Sequence, residues 1–218
     1  MMKIVSIIPA RYDSSRFPGK LMQQLGEKTV ILRTYQNVMA TGLFDEVVVA
    51  TDSDLIFKEI FDNGGRAIMT RKDHECGSDR IAEAISGMDA DVVINVQGDE
   101  PFVDRDSLKK LIEVFEEDSQ KEIALASLMT PLLEQEEVTN PSVVKVIVDL
   151  KHFALYFSRS PIPFDRDNKK NHTFYKHVGV YAFRKQALIE FSSHEITPLE
   201  SAEKIECIRL LEHGKKIK

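Results

Sequence analysis

The chain has 218 residues, 43% of them hydrophobic, which is enough to bury a substantial core in one domain, alone or with a small lobe. Its formal net charge of -6 argues against a nucleic-acid or membrane-surface binder, since both classes usually carry a basic excess. The cysteines, Cys76 and Cys207, cannot form a disulfide framework and lack metal-ligand spacing, so we expect a cytoplasmic protein.

Apolar strands alternate with amphipathic helical patterns through the first half of the chain. This alternation predicts a three-layer α/β/α, Rossmann-like fold with a mostly parallel sheet. The predicted strands are residues 4–8, 46–50, 66–69 and 91–97. The predicted helices cover residues 30–39, residues 55–61 before Gly64-Gly65, a segment from a cap at Ser78 to Gly87, and residues 108–115.

The pattern changes after residue 120. Strands are predicted near 123–129, 143–149 and 178–183, with a solvated acidic loop or helix face at 134–137. The polar stretch from Asp165 to His172, within the proline-containing region 156–176, is predicted to be a mobile loop outside the core. We expect a single domain over residues 1–218, with a smaller lobe built from about 130–185.

A capping box opens the last predicted helix. Thr197 and Glu200 flank Pro198, which suits the first helical position. One helix is therefore predicted over residues 198–213, ending at Gly214. Its buried stripe would consist of Ala202, Ile205 and Ile208.

The loop over residues 9–20 carries three permanent positive charges, on Arg11, Arg16 and Lys20. It directly follows the first strand, and open α/β sheets bind their ligands at the carboxyl ends of parallel strands. The charges therefore predict a polyphosphate clamp.

Asp99 follows the buried strand at 91–97. A carboxylate there can hold Mg²⁺, which prefers one or two carboxylates plus substrate phosphate oxygens. The alternative is a solvated turn, since Gly-Asp is a common turn pair. The sequence lacks both GxGxxG after the first strand and GxxxxGK[ST]. A basic loop beside an acid at a strand end suits nucleotidyl transfer.

Five segments of the chain resemble one family. They are IIPARYDSSRFPGKL (7–21), HECGSDRIAEA (74–84), NVQGDEPF (95–102), ALYFSRSPIPFDRD (154–167) and KHVGVYAFRK (176–185). In this order they are similar to 3-deoxy-manno-octulosonate cytidylyltransferases, enzymes of lipopolysaccharide synthesis. The resemblance implies a nucleotide-diphospho-sugar transferase-like fold and a reaction of CTP with 3-deoxy-manno-octulosonate (Kdo), giving CMP-Kdo and pyrophosphate in the presence of Mg²⁺.

The resemblance also implies site residues. Arg16, Lys20 and Asp99 would be catalytic, with Asp99 as the metal ligand. The CTP-binding residues would be Ala10, Arg11, Arg16, Lys20, Arg71 and Ser78. The Kdo-binding residues would be Gln97, Arg159, Arg166, His177, Tyr181 and Glu203.

An acidic sugar needs a cation for its carboxylate, which an arginine can grip through two parallel hydrogen bonds. A structural role stays open for His177 and Tyr181, and His74 is interpreted as a loop-ordering residue. Glu203 and Glu206 lie three residues apart, and we expect Glu203 to face the sugar while the other carboxylate stays in solvent.

The family pattern continues beyond the position of Lys218 with a strand, a segment holding the aspartate that supplies a second metal carboxylate, and a short helix. The sequence ends at Lys218. A shortened chain, a longer natural protein and an impaired form stay open as explanations. If Asp99 is the one carboxylate of the metal site, we expect Mg²⁺ binding to be weak.

The resemblance further implies a homodimer through the smaller lobe. Two other functions stay open. One is nucleotidyl transfer to another sugar, such as sialic acid or a neutral sugar, although SRSPIPFDRD favours Kdo. The other is a catalytically impaired CTP-binding module.

Overall fold

A computed structural model of the protein describes residues 2–12, 17, 19–167 and 172–218. The first half contains, in order, β1 (Ile4–Ala10), β2 (Gln24–Leu25), β3 (Lys28–Thr29), α1 (Val30–Ala40), β4 (Glu46–Thr51), α2 (Asp54–Asp62), β5 (Ala67–Met69), α3 (Gly77–Ile85), β6 (Val92–Asn95) and α4 (Arg105–Glu117). The second half contains β7 (Ile123–Pro131), α5 (Gln135–Thr139), β8 (Lys145–Val148), β9 (Ala154–Ser158), β10 (Tyr175–Arg184), α6 (Lys185–Ser193), α7 (Pro198–Glu203), α8 (Ile208–Glu212) and β11 (Lys216–Ile217).

The main sheet has the strand order β11-β7-β10-β6-β1-β4-β5. β1 pairs in parallel with both β4 and β6, and β5 continues the parallel set beside β4. β10 lies antiparallel between β6 and β7. The predicted mostly parallel sheet is therefore confirmed, and the carboxyl ends of β1, β4 and β6 meet at one edge.

Helices cover both faces of this sheet. α1, α2 and α4 pack against one face, and α3, α6 and α8 against the other. In α4 the apolar side chains of Leu108, Leu111, Ile112 and Phe115 are buried at the spacing of one helix face. Burying each such side chain contributes about 1.5–3 kcal/mol, so the three-layer arrangement follows from the amphipathic pattern.

β8 and β9 join the same sheet beside the N-terminal end of β10, whose Tyr175 and Lys176 also pair with β7. Tyr175 and Lys176 pair with β8, and β8 pairs antiparallel with β9. The β8–β9 ribbon belongs to the region of the predicted smaller lobe, whose existence as a separate unit stays a prediction. In the described part of the chain, no helix has the length and apolarity needed to cross a bilayer.

Two predictions about helix ends are wrong. α3 begins at Gly77 after a cap at Cys76, whose N–H donates to Asp79 Oδ2 at 3.3 Å, so Ser78 lies inside the helix. The last predicted helix is divided into α7 and α8, because Lys204 adopts a left-handed conformation with φ 54°. This turn lets Arg209 of α8 reach back to α7.

Arg209 donates two hydrogen bonds of 2.7 Å to the Glu200 carboxylate. Both side chains are buried. Because of the turn, Ala202 is exposed instead of belonging to the buried stripe, whereas Ile205 and Ile208 are buried as predicted. Gly214 ends this region, as predicted, with φ 70°.

β2, β3, β9, α6 and β11 are elements that the pattern did not predict. Residues 156–158 of β9 pair with β8, before the predicted mobile loop begins at Asp165. Residues 168–171 of that loop lie outside the described residues. The other helices and strands are confirmed with small shifts of their ends.

Candidate active site

A cleft opens at the carboxyl ends of β1, β4 and β6. It consists of two pockets of about 370 Å³ and about 150 Å³ that share Arg11 and His74. Further residues of the larger pocket include Tyr12, Asp52 and Lys72, and further residues of the smaller one include Cys76, Arg80 and Gln97. We call this the strand-end cleft, and it occupies the edge where the sequence predicts a ligand.

Among the residues predicted to bind the nucleotide, Arg11 lines this cleft. Ala10 is buried at the end of β1, beside Thr51 of β4, and Arg11 follows it with an exposed side chain. Arg71 is exposed, and its N–H donates to both oxygens of the Glu83 carboxylate at 3.2 and 3.3 Å. Arg16 lies outside the described residues, so its role stays a prediction.

Ser78 lies on α3 and is fully buried. Glu206 lies beside Cys76 and Ser78, and burial raises the pKa of its carboxyl. The expectation that one of the two carboxylates, Glu203 or Glu206, stays in solvent therefore does not describe Glu206.

Lys20 and Asp99 form an ion pair. Lys20 Nζ lies 2.5 Å from Asp99 Oδ2, and both side chains are a little less than half exposed. Gly98 permits this arrangement, because a Cβ there would lie 3.0 Å from the Pro9 carbonyl oxygen. The strand β6 can thus leave the sheet close to β1 and present Asp99 to the basic loop.

The carboxylate of Asp99 could serve as a ligand of Mg²⁺, with substrate oxygens as further ligands. An exposed ion pair is worth about 0–1 kcal/mol, so the Asp99 carboxylate is available to a stronger cation. Among the described residues, no group of three or more His, Cys, Asp and Glu side chains could hold a metal ion. This donor set fits the preference of Mg²⁺ for one or two carboxylates completed by phosphate oxygens.

A connected row of polar side chains crosses β6 and β10. Tyr181 lies opposite Asn95, and Gln97 Nε2 donates to Asn95 Oδ1 at 3.3 Å. Tyr181 Oη lies 3.0 Å from His177 Nε2. The structure thus brings together three of the predicted sugar residues, Gln97, His177 and Tyr181, on one face of the sheet.

His177 is neutral in this row. The Ser127 hydroxyl donates to the Val178 carbonyl at 3.0 Å and lies 3.2 Å from His177 Nδ1. Because the hydroxyl hydrogen is used there, we assign the imidazole hydrogen to Nδ1, and Nε2 accepts from Tyr181. Burial lowers the pKa of His177 to about 4.

Arg159 and Glu203 form a second group, at the end of β9. The guanidinium of Arg159 donates to the carbonyls of Glu203, Pro141 and Lys204 at 2.6, 2.9 and 3.3 Å. The Glu203 carboxylate accepts from Ser158 Oγ at 2.6 Å and from the Arg159 N–H at 2.8 Å. Both side chains therefore hold β9 to α7, while Arg166 is exposed in the loop that follows.

Lys145 supports this group from inside. Its side chain is fully buried, and Nζ donates to the carbonyls of Asn140, Val143 and Arg159 at 3.0, 2.6 and 2.6 Å. Burial lowers the pKa of this ammonium. The arrangement fixes the backbone at Arg159.

Sequence reasoning missed several residues of the site. Asn95 opens the block NVQGDEPF, and its Nδ2 atom is buried without a partner among the described residues. Asp52 and Arg80 form a buried ion pair on the wall of the cleft. His74 contacts the Glu83 carboxylate, which agrees with the predicted loop-ordering role.

Comparisons with known proteins agree on one family. The family model described as Cytidylyltransferase matches residues 5–217. A 3-deoxy-manno-octulosonate cytidylyltransferase of Christiangramia forsetii is 60% identical over 216 residues, which are 99% of this chain and 87% of the relative. A protein of the same name from Flavobacterium johnsoniae is 57% identical, over 100% of this chain and 89% of the relative.

A solved structure is also similar along almost the whole chain. It is that of CMP:2-keto-3-deoxy-manno-octonic acid synthetase complexed with CTP. It matches with a TM-score of 0.93 and 39% identity, covering 99% of this chain and 88% of the other. The fold of the strand-end cleft is therefore that of a protein solved with CTP.

Proposed function

The chain belongs to the 3-deoxy-manno-octulosonate cytidylyltransferases, within the cytidylyltransferase family, and on that premise we propose that it transfers CMP from CTP to Kdo. The anomeric hydroxyl oxygen of Kdo attacks the α-phosphorus of CTP. The bond from this phosphorus to the bridging oxygen breaks, pyrophosphate leaves, and the hydroxyl proton is released. The observation that carries this proposal is the similarity of the whole chain to relatives of that name.

The basic loop provides the nucleotide half of the site. Arg11 lies at the mouth of the cleft, and Lys20 places its ammonium beside Asp99. These cations lower the energy of the negative charge that grows on the departing pyrophosphate. The role of Arg16 in the same loop is proposed from the resemblance alone.

Asp99 would hold Mg²⁺ together with the phosphates of CTP. The ion would supply further neutralisation of the triphosphate charge. Lys20 and Asp99 lie together, so the described part of the chain provides both a cation and a metal ligand at one point.

The polar row provides the sugar half. Gln97, Tyr181 and His177 present neutral donors and acceptors, which suit the hydroxyl groups of Kdo. We assign the Kdo carboxylate to Arg166, because its side chain is exposed whereas the guanidinium of Arg159 donates to backbone carbonyls. Arg159 and Glu203 then shape the wall of this half.

We also propose a homodimer in the cytoplasm that serves lipopolysaccharide synthesis. Large apolar side chains are exposed within residues 130–185, and a second copy of the chain would remove them from water. They are Leu133, Leu150, Leu155 and Phe164. Sedimentation equilibrium should give twice the monomer mass, and Leu133→Glu combined with Phe164→Glu should give the monomer mass; an unchanged mass would contradict this interface.

Pyrophosphate release tests the reaction. With CTP, Kdo and Mg²⁺ we expect one pyrophosphate per CMP-Kdo formed. Sialic acid in place of Kdo, and ATP, GTP or UTP in place of CTP, serve as controls and should release little. Equal release with sialic acid would assign the chain to another acidic sugar, and CTP binding without release would make it a binding module.

A further inference from the structure

Arg80 is a largely buried cation on the wall of the strand-end cleft. It lies in the first half of α3 and is only 3% exposed. Its Nη2 donates to Asp52 Oδ2 at 2.7 Å, and its Nη1 donates to the Thr70 hydroxyl and to the Arg71 carbonyl, the latter at 3.2 Å. One guanidinium therefore joins the end of β4 to the segment that follows β5.

Asp52 extends this connection to the basic loop. Its second oxygen, Oδ1, accepts a hydrogen bond of 3.3 Å from the N–H of Tyr12. Tyr12 directly follows Arg11. The Asp52–Arg80 pair thus links the backbone beside Arg11 to the backbone of Arg71, along the wall of the cleft.

Stability alone does not account for this pair. Burying an ion pair costs hydration free energy that the attraction between the two charges only partly offsets. Replacing such a pair with apolar side chains is therefore often neutral or stabilising. A cation near a helix N-terminus is also unfavourable for the helix dipole. A guanidinium contributes geometric specificity, because its planar set of N–H donors holds several acceptors in a fixed arrangement.

We propose that Asp52 and Arg80 are positioning residues that set the spacing between Arg11 and Arg71 and thereby the affinity for CTP. This inference rests on the proposed function and on the CTP-binding roles that the family resemblance implies for Arg11 and Arg71. The hydrogen bonds of the pair lie on the first loop and on residues 52 and 70–71, away from β10 and Arg159. Loss of the pair should therefore weaken CTP binding and leave Kdo binding unchanged.

The test compares Asp52→Asn with Asp118→Asn. Asp118 forms an equally buried pair with Arg184, of 2.6 Å, at the C-terminal end of α4. Both substitutions remove one charge from a buried arginine–aspartate pair, so both should lower the melting temperature. Calorimetric titration with CTP alone gives the Kd, and steady-state kinetics give the KM for CTP and for Kdo.

We expect Asp52→Asn to raise the Kd and KM for CTP about tenfold and to change the KM for Kdo less than twofold. Asp118→Asn should change neither value by more than twofold. Thr70→Val removes one acceptor of Arg80 without a charge change, and it should weaken CTP binding several-fold even if Asp52→Asn fails to fold. Wild-type CTP affinity in a folded Asp52→Asn or Thr70→Val variant would overturn the inference.

Failure of the proposed function would look different. The unsubstituted protein would then release no pyrophosphate from CTP and Kdo, or would not bind CTP at all. An active unsubstituted protein whose Asp52→Asn variant binds CTP normally rejects only the positioning role.

Discussion

The ammonium of Lys20 lies 2.5 Å from the carboxylate of Asp99, across the gap between the loop after β1 and the turn after β6. The two groups come from segments separated by 79 positions in the chain. In the proposed function both groups would turn toward the triphosphate of CTP, Lys20 as a cation and Asp99 as a ligand of Mg²⁺. The pair would then lie where the charge of the triphosphate is neutralised.

Lys20→Met should lower kcat for CMP-Kdo formation roughly 10²–10³-fold, the usual cost of removing one group that stabilises developing negative charge. The melting temperature should change little, because both partners are partly exposed. Lys109→Met is the matched control, since Lys109 forms an exposed pair with Glu113 at 3.1 Å on α4. A kcat within twofold of the unsubstituted enzyme would contradict the role of Lys20.

Asp99→Asn should raise the Mg²⁺ concentration needed for half-maximal activity by at least tenfold, because an amide oxygen is a weaker ligand than a carboxylate. Pyrophosphate release measured over a Mg²⁺ titration gives this value. Glu100→Gln removes the neighbouring exposed carboxylate and should leave the titration unchanged. An identical shift in both variants would assign the effect to general charge, and an unchanged Asp99→Asn titration would remove Asp99 from the metal site.

His177 should make the folded state less stable in mild acid. Its pKa is about 4 in the folded protein, compared with 6.5 for a free histidine. As the pH falls from about 6.5 to about 4, the unfolded chain takes up a proton at this site and the folded chain does not. The free energy of unfolding should decrease over this window, by about 3 kcal/mol in full.

Urea unfolding at several pH values between 7 and 5 measures this loss. His177→Gln should unfold with a smaller dependence on pH, although its stability at pH 7 is lower because the contacts with Ser127 and Tyr181 change. His213→Gln, at an exposed position, should keep the full dependence. The same slope in His177→Gln and in the unsubstituted protein would show that His177 titrates normally.

Sequence patterns predicted the fold where local signals and packing agree. The apolar face of α4 and the continuous apolar run of β6 are examples, because in both elements the apolar residues of the sequence are the ones that are buried. The break at Lys204 could not be predicted in this way. It depends on the buried pair between Glu200 and Arg209, which a capping box and a helical pattern do not encode.

In the candidate site, the positions that follow from strand order were predictable from the sequence, whereas contacts between distant side chains were not. Arg11 and Lys20 lie in the segment after β1 and Asp99 in the turn after β6, so their placement at one edge of the sheet follows from the parallel pairing of these strands. The pairing of Asp52 with Arg80 was missed, since it joins β4 to α3 through side chains whose contact depends on the tertiary structure. The contacts of Arg159 with backbone carbonyls also depend on the tertiary structure, so the sequence indicated a sugar-binding role for Arg159 but could not predict these contacts.

Lys145→Met should destabilise the protein and weaken Kdo binding together. The ammonium is buried and donates to the carbonyls of Asn140, Val143 and Arg159. A methionine fills similar volume but leaves these acceptors without their donor, at about 1–3 kcal/mol for each one that water does not reach. We therefore expect the free energy of unfolding to fall by roughly 3 kcal/mol.

The same substitution should raise the KM for Kdo several-fold, because Lys145 fixes the backbone at Arg159, which in turn holds Glu203 through the contact between its N–H and that carboxylate. The KM for CTP should stay within twofold, since β10 and β6 separate β8 and β9 from β1, the strand that leads into the basic loop. Lys215→Met is the control, because Lys215 forms a partly exposed pair with Glu190 that is worth about 0–1 kcal/mol. Equal losses of stability in the two variants would contradict the structural role of the buried ammonium, and equal increases in both KM values would contradict its restriction to the sugar half.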